Sequence, residues 1–173
     1  MPLKEADEDP HPPPPTFELV DPHNLISSTD HDQIVNWTNA VFAHIPNPGS
    51  VRAKLVDDEH MADAHLQFSG IPGTTDVLTF DLAQDQLAEE KVLDTDLLIC
   101  VDEADRQVQS QSHTTAHEIL LYIIHGTLHC LGYNDHTHED YIAMHTKEDQ
   151  LLTQAGIGPL FNTDSDHIGG AHS

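Results

Sequence analysis

EILLYIIHGTLHCLGYNDH, residues 118–136, starts as a strongly apolar segment and ends in a turn crowded with polar side chains. Its hydrophobic run predicts a central helix, best defined from Ser112 to about Leu131. His125 and His129 lie four apart, so their rings share one helix face, about 5–6 Å apart at Cβ. Two imidazoles so placed can converge on one ion. Gly132 can end the helix by taking a positive φ. The chain then folds back and can offer a third ligand from just beyond, as a catalytic zinc site with three protein ligands and one open position requires.

Chance alone yields about one H-x-x-x-H pair in a chain this rich in histidine, so the pair needs its context. A second pair, His113 and His117, stands on the same helix, turned by roughly 120° at 100° per residue. It has no following glycine and no third ligand in reach, and is read as structural. Helical zinc peptidases carry a Glu after the first His that accepts a proton from the attacking water. Here that position is Gly126, which has no side chain to do so.

Outward from the helix, the sequence predicts a small α+β domain over residues 16–161, with a mixed sheet and helices packed on it. TFELV (16–20) reads as a strand. Residues 30–45 read as a helix with Asp30 as its N-cap and Ile34, Trp37, Val41 and Ile45 on one face, stopped by Pro46, Pro48 and Gly49. VRAKLVD (51–57) alternates like a half-buried strand, and Asp57 can cap a helix running to about Phe68. DVLTFDL (76–82) and the nearly continuous apolar TDLLICV (95–101) are two more strands. Residues 138–156 form a last helix. The acidic, proline-rich residues 1–15 and the tail 162–173 read as disordered, because neither can bury enough apolar surface to offset its ordering entropy.

Thirty acidic residues face six basic ones, a formal net charge of −24. That balance repels polyanions at long range and argues against a broad nucleic-acid footprint such as a DNA-binding face. No apolar run approaches the roughly 18 residues of a membrane span, and the N-terminus has no signal-peptide core, so a cytoplasmic protein is expected. Cys100 and Cys130 sit in apolar segments and read as free buried thiols.

HGTLHCLGYNDH (125–136) resembles the H-G-x-L-H-L-x-G-Y-D-H signature of the YbeY family, metal-dependent bacterial endoribonucleases of rRNA maturation. TTDVLTFDL (74–82) is similar to the family's P-T-D/N-V-L-S-F-P stretch and TDLLICVDEADRQ (95–107) to its G-D-I-x-I segment, in matching order across about residues 50–155. The resemblance implies a zinc ion held by three histidines at a cleft. It also implies hydrolytic cleavage of single-stranded RNA, in 16S rRNA 3′-end maturation and ribosome quality control, with the ribosome or ribosomal proteins as partners.

Carried over by position, His125 and His129 match the first two ligands. The third place falls on Asp135, because Asn134 is one residue more than the signature has. His136 is the favoured third ligand, Asp135 the alternative and His138 a weaker one. The family's arginine, which follows an aromatic and faces the scissile phosphate, corresponds to Ser69 after Phe68. Arg52 and Arg106 are candidate substitutes and, with Lys54 and the metal, would make a locally positive cleft in a negative body. Thr75, Asp76 and Thr79 either line that cleft or bond to one another in a turn. Two rival readings stay open: a zinc hydrolase of another kind, such as a peptidase or amidase, and a non-catalytic ribosome-assembly factor with structural zinc.

Overall fold

A computed structural model of the chain describes residues 12–87 and 91–160. Four strands, β1 (Thr16–Val20), β2 (Ser50–Val56), β3 (Val77–Asp81) and β4 (Asp94–Cys100), form one sheet in the order β1-β2-β4-β3. β1, β2 and β4 run parallel, and β3 is antiparallel to β4. The sheet is therefore mixed, as expected. The disorder expected for residues 1–11 and 162–173 lies outside the described residues, whereas Pro15, expected in the loose segment, is buried.

The helices are α1 (Ser28–Phe42), α2 (Asp58–Ser69), α3 (Val101–Gln107), α4 (Thr115–Cys130) and α5 (His138–Gln154). Ser27, not Asp30, caps α1: its Oγ accepts from the Asp30 backbone N–H at 3.0 Å. Helix α1 also stops at Phe42, so Ile45 is buried beyond its end. Asp57 caps α2 as expected. One helix was expected between β4 and Gly132, and the chain makes two. Seven residues of α3 and a single 3-10 turn at Val108–Ser110 precede α4, whose cap is Thr114.

Strand alternation sorts the two faces of the sheet. Val51, Ala53 and Leu55 of β2 and Leu97 and Ile99 of β4 join Ile34, Val41, Ile119, Ile123, Ile124 and Leu128 in the main core under α1 and α4. Arg52, Lys54 and Leu98 point to the other face, where Val56, Met61 and Cys100 form a small second cluster under α2. Helix α4 is buried nearly all round, touching α1, α3, α5, β3 and β4. Each fully buried Ile or Leu on it contributes roughly 1.5–3 kcal/mol of burial energy. A stripe through Glu118, Leu121, His125 and His129 remains half-exposed, as do Thr115 and His117 in the first turn. No helix among the described residues is long and apolar enough to cross a membrane.

Candidate metal centre

Helix α4 ends at Cys130, with Leu131 as its C-cap, because Gly132 takes φ 107°, a conformation side-chain-bearing residues rarely adopt. The reversal is locked by Tyr133 N–H donating to the Leu128 carbonyl at 3.1 Å. It also turns the Tyr133 carbonyl back over α4, where His129 Nδ1 donates to it at 3.1 Å. His125 Nδ1 is held from the opposite side, by Glu148 of α5, at 2.8 Å.

These partners fix both tautomers. A carbonyl and a carboxylate only accept, so each Nδ1 carries the hydrogen and each Nε2 presents a lone pair. The two rings stand perpendicular, with centroids 4.6 Å apart and Nε2 atoms 3.2 Å apart. Asp135 Oδ2 approaches His125 Nε2 to 3.9 Å, and one ligand atom each from His125, His129 and Asp135 lies within 4.8 Å of the others. With both rings neutral, three electron-rich atoms converge here. Such a set is repulsive unless a proton or a metal cation lies between. Two nitrogens bound to one tetrahedral zinc ion stand about 3.3 Å apart, given Zn–N near 2.0–2.1 Å. The observed spacing fits a metal.

The surroundings favour positive charge there. Burial pulls the His125 pKa down, but the Glu148 hydrogen bond and charge, with Asp76 and Asp135, outweigh it and hold it above its ordinary value. His129 is lowered, first by burial and then by its neighbour His125. Glu148 is pushed up by burial, yet the hydrogen bonds from His125 and His145 hold it below the usual range, so it stays ionised.

The structure brings Asp135, not His136, to the pair. Asn134 makes the difference: its Oδ1 accepts from the His136 backbone N–H at 3.1 Å, closing a turn that leaves His136 exposed. His138 is exposed as well. Arg52 lies on the sheet face away from α4, where Asp94 (2.7 Å), Asp96 (2.6 Å) and Ser50 hold its guanidinium. Arg106 forks onto Asp58 and Glu103, at 2.8–3.0 Å. Both guanidiniums are ion-paired with carboxylates, and Arg52 and Lys54 line a cavity with Asp63 and Asp96 on the sheet face away from α4. Ser69 is the exposed last residue of α2. Asp76 accepts from Val77 N–H at 2.7 Å and Thr75 Oγ1 at 3.3 Å, a local turn network within the field of His125.

Thr79 faces α4 directly. A Cβ on Gly126 would lie 3.2 Å from Thr79 Oγ1 and 2.6 Å from Leu97 Cδ2. Glycine thus packs closely here, and any larger side chain must displace the end of the Leu97 side chain. The second histidine pair is structural: His113 bonds Glu118 at 2.6 Å, and His117 caps α4 and stacks on Trp37 at 4.4 Å. Both cysteines are free and buried.

Two contributors escaped the sequence reading, Glu148 and His145. Their signal was an acidic residue in register with the buried stripe of α5. Met144, Glu148 and Leu151 follow one another at helical spacing, and all are buried. A carboxylate on such a stripe needs a partner.

The family profile described as Endoribonuclease YbeY matches residues 23–156. A protein named Endoribonuclease YbeY from Bifidobacterium animalis subsp. lactis is 37% identical over 102 residues, 57% of this chain and 56% of the relative. One of the same name from a Geobacillus species is 27% identical over 133 residues, 73% of this chain and 85% of the relative. The match thus spans little more than half the length of the first relative and most of the second. A solution structure from Thermotoga maritima aligns with a TM-score of 0.53 at 22% identity, covering 87% of this chain and 99% of that one. At that identity it speaks for the fold alone.

Proposed function

Because this chain belongs to the YbeY endoribonuclease family, we propose that it is a metal-dependent endoribonuclease acting on single-stranded RNA. Its substrate class is the 3′ end of the 16S rRNA precursor, and it works in the cytoplasm in ribosome maturation and quality control. One observation carries the reading: the bare Nε2 atoms of His125 and His129, 3.2 Å apart beside the Asp135 carboxylate.

His125 and His129 are the first two metal ligands. Asp135 supplies the third as the chain is folded, and His136 competes only if the turn at Asn134 reopens. Held by these residues, a divalent cation such as zinc would supply Lewis acidity for phosphodiester hydrolysis. The protein's own part is to hold the ligand rings by their Nδ1 atoms and keep α4 rigid. Gly126 provides no proton acceptor, which separates this site from a helical zinc peptidase and disfavours the peptidase or amidase alternative.

A net charge of −24 with Arg52 and Arg106 both ion-paired gives RNA little long-range attraction. Delivery of the RNA by the ribosome or a ribosomal protein resolves this. Ser69 at the family's arginine position favours the second reading, a ribosome-assembly factor whose metal is structural.

The test joins metal analysis with cleavage of one RNA sequence presented single-stranded and as a duplex, for wild type and His129→Ala. Metal at one per chain, with single-strand cleavage lost in the variant, supports the nuclease. Metal without cleavage, alone or on ribosomal particles, transfers the protein to the assembly-factor reading.

A further inference from the structure

Glu148 is the only charged side chain among the described residues that is buried, at 2% exposure. Removing a carboxylate from water costs several kcal/mol. Each of its oxygens meets one imidazole: Oε2 lies 2.8 Å from His125 Nδ1, and Oε1 lies 2.8 Å from His145 Nδ1. His145 is three residues earlier on α5, stands 6.2 Å from the His125 ring at an interplanar angle of 23°, and packs edge-on against Tyr141 at 4.4 Å. The carboxylate is therefore clamped on both sides, and only one of those sides leads to the metal centre.

We propose that Glu148 is a positioning residue for the metal centre, acting through His125, with His145 orienting the carboxylate. Accepting from Nδ1 fixes the His125 tautomer, sets the ring's rotation and aims Nε2 at His129 and Asp135. It also makes that nitrogen a better electron donor, as carboxylate partners of metal-binding histidines do. Among the described residues, His129 Nδ1 meets the neutral Tyr133 carbonyl rather than a carboxylate, so the two ligands are not equivalent. This inference rests on the metal-centre reading.

The test uses the whole chain. Long-range proton–nitrogen correlation spectra of metal-free protein report the His125 tautomer, and zinc titration against a competing chelator reports affinity. Glu148→Leu keeps the volume and packing without the acceptor. It is expected to give mixed His125 tautomers and a zinc Kd raised roughly 10–100-fold. Glu148→Gln still accepts from His125 but carries no charge. It should retain the tautomer and bind zinc with intermediate affinity, and it carries the test alone if Glu148→Leu does not fold. Wild-type zinc affinity and an unchanged tautomer in either folded variant would overturn the proposal and leave Glu148 a mere tie between α4 and α5. If the wild type itself binds no zinc, the metal-centre reading fails, and the tautomer comparison still decides whether Glu148 governs His125.

Discussion

His125 and His129 present bare Nε2 atoms to one another at 3.2 Å, because both Nδ1 atoms donate elsewhere. Such a pair is more stable with a cation between than without. A cation that binds only the folded chain adds stability, about 2.7 kcal/mol at a free concentration 100 times its Kd. For a chain of this size that is on the order of 5–10 °C in melting temperature. Chelation should lower the melting temperature by that amount, and zinc should restore it. Identical melting with and without chelator would mean that a proton, not a metal, sits between the rings.

Asp135 and His136 are neighbours in sequence with opposite surroundings, one beside the histidine pair and one exposed. Asp135→Ala should lower zinc affinity by more than the roughly 10–100-fold typical of losing an outer partner. His136→Ala should leave it unchanged. The reverse result would show that metal binding reopens the turn at Asn134 and draws in His136.

Helix α4 and its histidines were legible because each signal was local: an apolar run, a four-residue spacing, a glycine at the end. Which residue after Gly132 turns inward was not, since it depends on Asn134 Oδ1 meeting the His136 N–H, a bond that spacing does not reveal. Helix α3 was missed because seven residues show less than two turns of periodicity and run straight on from an apolar strand. The Asp30 cap shifted to Ser27 because both can accept from a first-turn N–H. The α5 stripe signalled that Glu148 is buried but not with what, because its partner His125 is 23 positions away. Arg52 looked like a free cation until β4 placed Asp94 and Asp96 beside it.

Asp58 and Arg106 join the start of α2 to α3 through two hydrogen bonds of 2.8 Å. The hydrogen bonds from Arg106 hold the Asp58 carboxyl below its ordinary pKa, against a smaller upward push from burial. A depressed folded pKa stabilises the fold above the unfolded value near 3.9, and that gain vanishes as pH falls through the folded value. Both groups are half-exposed, so the gain is at most about 1 kcal/mol. Asp58→Asn should be less stable than wild type by that margin near pH 7, with the two converging in acid. Urea midpoints that stay equally far apart at every pH would show that the substitution acts by another route.

Gly126 lies where α4 meets the sheet, with Leu97 only 2% exposed beneath it. Alanine gains roughly 1 kcal/mol of helix propensity over glycine. The added methyl must displace the buried Leu97 side chain, and overpacking a core costs typically 1–3 kcal/mol. Leu97 presents the end of a flexible side chain, so part of the clash relaxes, and Gly126→Ala should lose on the order of 1 kcal/mol in urea unfolding. Gly126→Glu adds a charge as well as bulk. It should unfold the domain or push α4 off the sheet, and it should confer no peptidase activity on whatever remains folded. A Gly126→Ala protein more stable than wild type would mean that Leu97 moves aside freely. The peptidase glutamate would then be absent for want of function rather than want of space.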